Sequence, residues 1–198
     1  MSHSEELFLS LSKEHDTPEK VQALLKSFPY NDEPKEETVR SAIEAFRTKQ
    51  VHCLEGALVS AAILEHQGYP PLILSLDSQD DLCHSLFIFK EKSGWGAVGR
   101  SREPGLEGRA PRFRSIRDLA WSYYDPYVDD TGKLIGYTSI NLDESDTNWR
   151  YSKQNLWKLE QYVVTFPHKK IIASQERYEY LVKQFETAGP MLDGKWWW

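Results

Sequence analysis

The sequence predicts an α+β fold in which a buried helix packs on a small antiparallel sheet, with helices flanking this core on both sides. Three observations predict it. Residues 54 to 67 carry Leu54, Ala57, Leu58, Ala61 and Ala62 on successive helical turns, and Gly68 stands where a C-terminal cap belongs. Short apolar runs follow at 71–76, 85–90 and 95–98, each bounded by turn residues, as expected of strands. Amphipathic helical patterns lie before and after this centre.

Each element has its own signal. Thr17 to Ser27 predicts a short helix, because Pro18 suits a helix start and Val21, Leu24, Leu25 and Phe28 recur at helical spacing. A turn is expected at Pro29-Tyr30-Asn31-Asp32, and a second helix over Thr38 to Lys49, with Val39, Ala42, Ile43 and Phe46 on one face. In the third helix, small Ala57, Ala61 and Ala62 let other backbone approach closely, so it is expected to be central and buried. The runs 85–90 and 95–98 read as a hairpin turning at Glu91 to Gly94.

From Gly99 to Arg117 the pattern gives way to Gly, Pro and six arginines, at 100, 102, 109, 112, 114 and 117, which predicts a long connection. Beyond it, Ile116 to Tyr124 reads as a helix, Tyr137 to Leu142 as a strand, and Asp146 to Val164 and Ser174 to Glu186 as helices. The closing Trp196 to Trp198 has no periodicity, and so apolar a tip either docks into a groove or mediates association. The length predicts one domain over 1–198, with a core at about 38–101 and a helical C-terminal part at about 116–190.

Composition excludes several classes of function. A net charge of −6, from 24 basic and 30 acidic side chains, lacks the basic footprint of a general nucleic-acid binder. No apolar run approaches the roughly 18 residues of a membrane span, and the N-terminus lacks the pattern of an export signal. With two cysteines only, no disulfide framework is expected, and a cytoplasmic setting fits.

The chemistry centres on Cys53 and His84. A thiol at a helix N-terminus faces unpaired backbone N–H groups and the positive end of the helix dipole, and both favour thiolate. A histidine brought beside it can take the thiol proton and return it to a leaving group. Against this, Cys53 also suits a small buried position at the head of a core helix. Cys83, next to His84 on the same strand, is expected in the core. His52, Cys53, Cys83 and His84 are all zinc-ligand types, but adjacent residues rarely converge on one ion, so no metal is expected. A redox pairing of Cys53 with Cys83 is a third use of the same residues.

These residues resemble the core of the transglutaminase-like branch of papain-like thiol enzymes. The match is His52-Cys53-Leu54-Glu55-Gly56-Ala57 at the helix start, Asp81-Leu82-Cys83-His84-Ser85-Leu86-Phe87 at the histidine strand, and Gly94-Trp95-Gly96-Ala97-Val98-Gly99 at the return strand. It implies a papain-like core with Cys53 and His84 as the catalytic pair and no cofactor. Trp95, Arg100 and Ser101 are then the expected substrate-binding residues. Where the family places an aspartate that orients the histidine, this chain has Gly99, so that role is vacant or reassigned; Asp80, Asp125 and Ser101 are the candidates.

The expected activity is acyl transfer from an amide or thioester of a small molecule or peptide, to water or to an amine. The alternative is a catalytically degenerate domain that keeps the fold and uses its cleft and arginine-rich loop for binding.

Overall fold

The computed structural model describes residues 3–33, 36–80, 82–103, 105–129 and 131–191. The Trp196 to Trp198 run and Asp81 lie outside the described residues. Among those described, eight helices and six strands follow in the order α1 (His3–Glu14), α2 (Pro18–Lys26), α3 (Ala42–Thr48), α4 (Cys53–Leu64), β1 (Leu72–Ser78), β2 (His84–Glu91), β3 (Gly94–Val98), β4 (Arg109–Phe113), α5 (Ile116–Trp121), α6 (Tyr124–Tyr127), β5 (Leu134–Asn141), α7 (Trp157–Thr165), β6 (Lys169–Lys170) and α8 (Gln175–Ala188). The class is α+β, as expected, and the sheet is antiparallel throughout in the order β4-β3-β2-β1-β5-β6.

The helix starts follow from local chemistry. Thr17, Ser41, Ser115 and Ser174 each turn a hydroxyl back onto the backbone N–H three residues ahead, at the starts of α2, α3, α5 and α8. Each such cap contributes about 1 kcal/mol. Helix α4 runs into a single 3-10 turn, Glu65–Gln67, and stops at Gly68, whose φ of 85° is one that glycine adopts without strain.

Both faces of the sheet are covered, which is why its central strands are apolar on successive residues rather than on alternate ones. Ile73, Phe87, Phe89 and Val98 face the core built by α1 to α4, together with Trp149 and Leu159. Leu74, Leu76, Leu86, Ile88 and Ala97 face a second core with Leu119, Tyr123, Tyr124 and Leu181 from α5, α6 and α8. Residues Leu54 to Leu64 of α4 are all buried, so this helix is the centre of the first core.

Four expectations are corrected. The arginine-rich connection contains strand β4, which pairs with β3 through Trp95–Phe113 and Ala97–Arg109 with an irregularity between them. Its Pro111 is accommodated because β4 is the sheet edge, where a missing N–H costs no ladder bond.

The helix expected over 146–164 forms only from Trp157, and that expected from Thr38 begins at Ala42. The two intervening segments bind each other instead. The N–H groups of Ala42 and Ile43 donate to the carbonyls of Trp149 and Arg150, and Leu156 N–H donates to Val39. Lastly, Cys83 precedes the strand and is exposed rather than in the core.

Candidate active site

Cys53 is the first residue of α4, with His52 as its N-cap, and the thiol is half-buried. His84 is the first residue of β2 and is buried. The fold brings them together: the side chains of both His84 and His52 lie near enough to the Cys53 thiol to favour its thiolate. Burial works against the thiolate, but these two histidines outweigh it and hold the thiol well below its ordinary pKa.

The vacancy at Gly99 has a steric cause. A Cβ there would sit 2.8 Å from Cδ2 of Leu86, which is fully buried, and both backbone groups of Gly99 are clamped by the Gln22 amide. Of the candidates for the orienting role, Asp125 forms a two-pronged ion pair with Arg177 and Asp80 binds Ser78 and Thr131. The Ser101 hydroxyl accepts from the N–H of Glu103.

The role goes to a backbone group instead. His84 Nε2 lies 2.7 Å from the carbonyl oxygen of Leu106, which fixes it as the donor nitrogen and leaves Nδ1 for the thiol.

That carbonyl is itself held in place. Arg109, buried on β4, donates to the carbonyls of Gly105 at 2.5 Å, Glu107 at 2.9 Å and Gly108 at 3.2 Å, bracketing Leu106. Its guanidinium stacks 4.0 Å from the centre of the Tyr123 ring, whose edge in turn meets His84 at 6.5 Å. Tyr123 closes the loop by donating from its hydroxyl to the Glu107 carbonyl.

On the other side of the sulfur, His52 Nε2 lies 2.9 Å from the carbonyl oxygen of Thr38 and 3.6 Å from Oε1 of Glu55. Glu55 is fully buried. It is gripped by Arg40 through Nε and Nη2, both at 2.7 Å, and it accepts the His52 backbone N–H at 3.2 Å. Burial pushes the Glu55 carboxyl up, but Arg40 and His52 bring it below its ordinary range. Burial likewise lowers the His52 imidazole, but the Cys53 thiolate and the carboxylates of Glu55 and Glu33 raise it to about 9.

Tyr30 completes the surroundings, with its phenol oxygen facing both the backbone N–H and the thiol of Cys53. Burial and the thiolate raise its pKa, so the phenol keeps its proton near neutrality. Tyr127 of α6, which donates to the Leu82 carbonyl, is raised by burial first and then by charge on Cys53.

The three expected substrate-binding residues separate. Trp95 pairs with Lys90, six residues along β2 from His84, about 20 Å of strand away. Arg100 is committed to Glu107 at 3.1 Å and to the carbonyl of Ser101 at 2.7 Å. Ser101 is buried, and continuing the β2–β3 register sets it level with His84. His52, Tyr30 and the Leu106 carbonyl were not singled out as active-site groups by the sequence. Only His52 left a trace there, in its adjacency to Cys53.

No protein-family model matches the sequence, and no curated protein matches it. Among solved structures, LapG from Legionella pneumophila is 17% identical over 80% of this chain and 81% of its own, with a TM-score of 0.42. The calcium-bound form of the same protein is 16% identical over 82% of this chain and 86% of its own, with a TM-score of 0.41. A protein from Cytophaga hutchinsonii, proposed to be a cysteine protease, is 16% identical over 77% of this chain and 56% of its own, with a TM-score of 0.40.

Proposed function

We propose that this chain is a thiol-dependent acyl-transfer enzyme of transglutaminase-like type that acts on an amide or thioester of a small molecule or peptide. The observation that carries this reading is a thiol at the start of α4, set beside a histidine whose far nitrogen is fixed at 2.7 Å on the Leu106 carbonyl. Nucleophile, base and orienter are thus in series.

With its proton already passed to His84, the Cys53 thiolate attacks the carbonyl carbon. The S–C bond forms and the carbonyl electron pair moves onto oxygen, beside the Tyr30 hydroxyl. As the bond to the leaving amine or thiol breaks, His84 gives that group its proton. Water or an amine then attacks the thioester, loses a proton to His84, and releases the Cys53 thiolate.

A p-nitrophenyl ester is a minimal acyl donor for a test by intact-protein mass spectrometry. Expected are one acyl adduct, mapped to Cys53, and its loss in Cys53→Ser and His84→Ala. The Gly99 departure favours a second reading, a binding domain descended from such enzymes. That reading gains if the native protein forms no adduct and its Cys53 titrates like a free thiol.

A further inference from the structure

We propose that His52 is a second imidazole of the same centre: it remains protonated as the counter-ion of the Cys53 thiolate and takes no part in the proton shuttle, which belongs to His84. This assignment rests on the acyl-transfer reading above. Its basis is the difference between the two rings' supports. His84 is oriented by a neutral carbonyl, and the buried charge behind it is the cation Arg109, across the Tyr123 ring. A carbonyl fixes the ring plane without adding a charge, and the ring stands between the thiol and the Leu106 carbonyl, the placement of a proton shuttle.

His52 has the opposite surroundings. One ring nitrogen meets the Thr38 carbonyl, the ring lies 3.6 Å from buried Glu55, and the thiol takes the other side. The charged and titratable groups facing the pair come from every neighbouring element. Glu55 of α4 has Arg40 behind it, Glu33 and Tyr30 lie on the segment before α3, and Glu160 of α7 faces both His52 and Glu37. His84 of β2 and Tyr127 of α6 complete the set. Carboxylates predominate on the His52 side, and they favour its charged form.

A single centre then divides two tasks that one histidine performs in a simple pair. His52 lowers the cost of making the thiolate, and His84 moves the proton. No atom of His52 bonds to the substrate, and its proton count is unchanged over the cycle.

The test uses the full chain with Cys83→Ala, so that iodoacetamide reports Cys53 alone, and compares the native centre with His52→Asn and His84→Ala. Asparagine is itself a favourable N-cap, so α4 keeps its start. His52→Asn is expected to raise the pH midpoint of alkylation by about one unit, a tenfold loss of thiolate below the midpoint. Its acyl-adduct formation recovers toward the native rate at about pH 9.5, where an ordinary thiol ionises unaided. His84→Ala fails to turn over at either pH.

A folded His52→Asn protein with an unmoved midpoint overturns the role of His52 and leaves the Cys53–His84 pair standing. A native midpoint near that of a free thiol overturns the acyl-transfer reading itself. Nitrogen NMR reads the protons on the native His52 ring without any substitution: a doubly protonated ring at about pH 8 supports the assignment and a neutral one overturns it.

Discussion

His84 donates from Nε2 to the carbonyl oxygen of Leu106 across 2.7 Å, so a main-chain group performs the orienting task that the sequence left vacant at Gly99. A carbonyl fixes a tautomer and a ring plane as well as a carboxylate does, but it brings no charge. The loop that presents it is stiffened by Arg109, which reaches the carbonyls on both sides.

The Arg109 clamp is a positioning device and can be tested as one. Arg109→Lys keeps the cation and loses the rigid fork that spans Gly105 and Glu107. Acylation of Cys53 is expected to slow about tenfold, equivalent to about 1.4 kcal/mol, as His84 loses its fixed ring plane. The pH midpoint of Cys53 alkylation is expected to rise by less than in His52→Asn, because the His52 side of the sulfur is untouched and only the His84 share of the thiolate's support is loosened. Stopped-flow release of p-nitrophenol and the alkylation profile read the two effects separately.

Restoring the expected aspartate is predicted to fail. In Gly99→Asp the new Cβ meets Leu86 at 2.8 Å and 3.2 Å within a packed core. Overpacking of this kind costs about 1–3 kcal/mol. Urea unfolding is expected to show that loss, with no gain in acylation rate.

Tyr30→Phe removes the hydroxyl that the proposed mechanism sets beside the developing oxyanion and that faces the Cys53 backbone N–H. Loss of such a donor typically costs about a hundredfold or more where it is fully engaged. A fall of about tenfold in acylation is expected, at unchanged thermal stability. A native-like rate would assign Tyr30 to packing alone.

The pH dependence of stability has a definite sign at His52. Its folded-state pKa of about 9 exceeds the ordinary imidazole value of 6.5, so its contribution is fully present below about 6.5 and is lost as the pH rises through about 9. The Tm difference between native protein and His52→Asn is expected to shrink across that window. Differential scanning calorimetry at several pH values measures it, and a difference that grows with pH would contradict the raised value.

Arg40→Met is the most damaging of these substitutions. Glu55 is fully buried and its carboxylate depends on the Arg40 fork, so removing the cation leaves a buried charge uncompensated. The expected cost is about 3–5 kcal/mol, read as a fall in urea-unfolding stability. The same variant should also disturb the Cys53 titration, since Glu55 underlies His52.

The sequence by itself determined the buried helix with Cys53 at its head, the β2–β3 hairpin, the start of the histidine strand and the class of the fold. These rest on periodicity, capping residues and turn chemistry, which act within a dozen or so neighbouring residues. The tertiary structure decided what depends on distant partners. Segment 146–156 carries a helical pattern, yet the carbonyls of Trp149 and Arg150 are taken up by the start of α3, and the helix does not form there. Strand β4 contains a proline and is a strand only because it lies at the sheet edge. The partner of His84 is a backbone carbonyl, a group every residue possesses, so no side-chain identity could mark Leu106 in advance. The second histidine stood beside Cys53 in the sequence from the outset. Only the fold, by setting Thr38, Glu55 and Glu33 around it, distinguishes it from an ordinary helix cap.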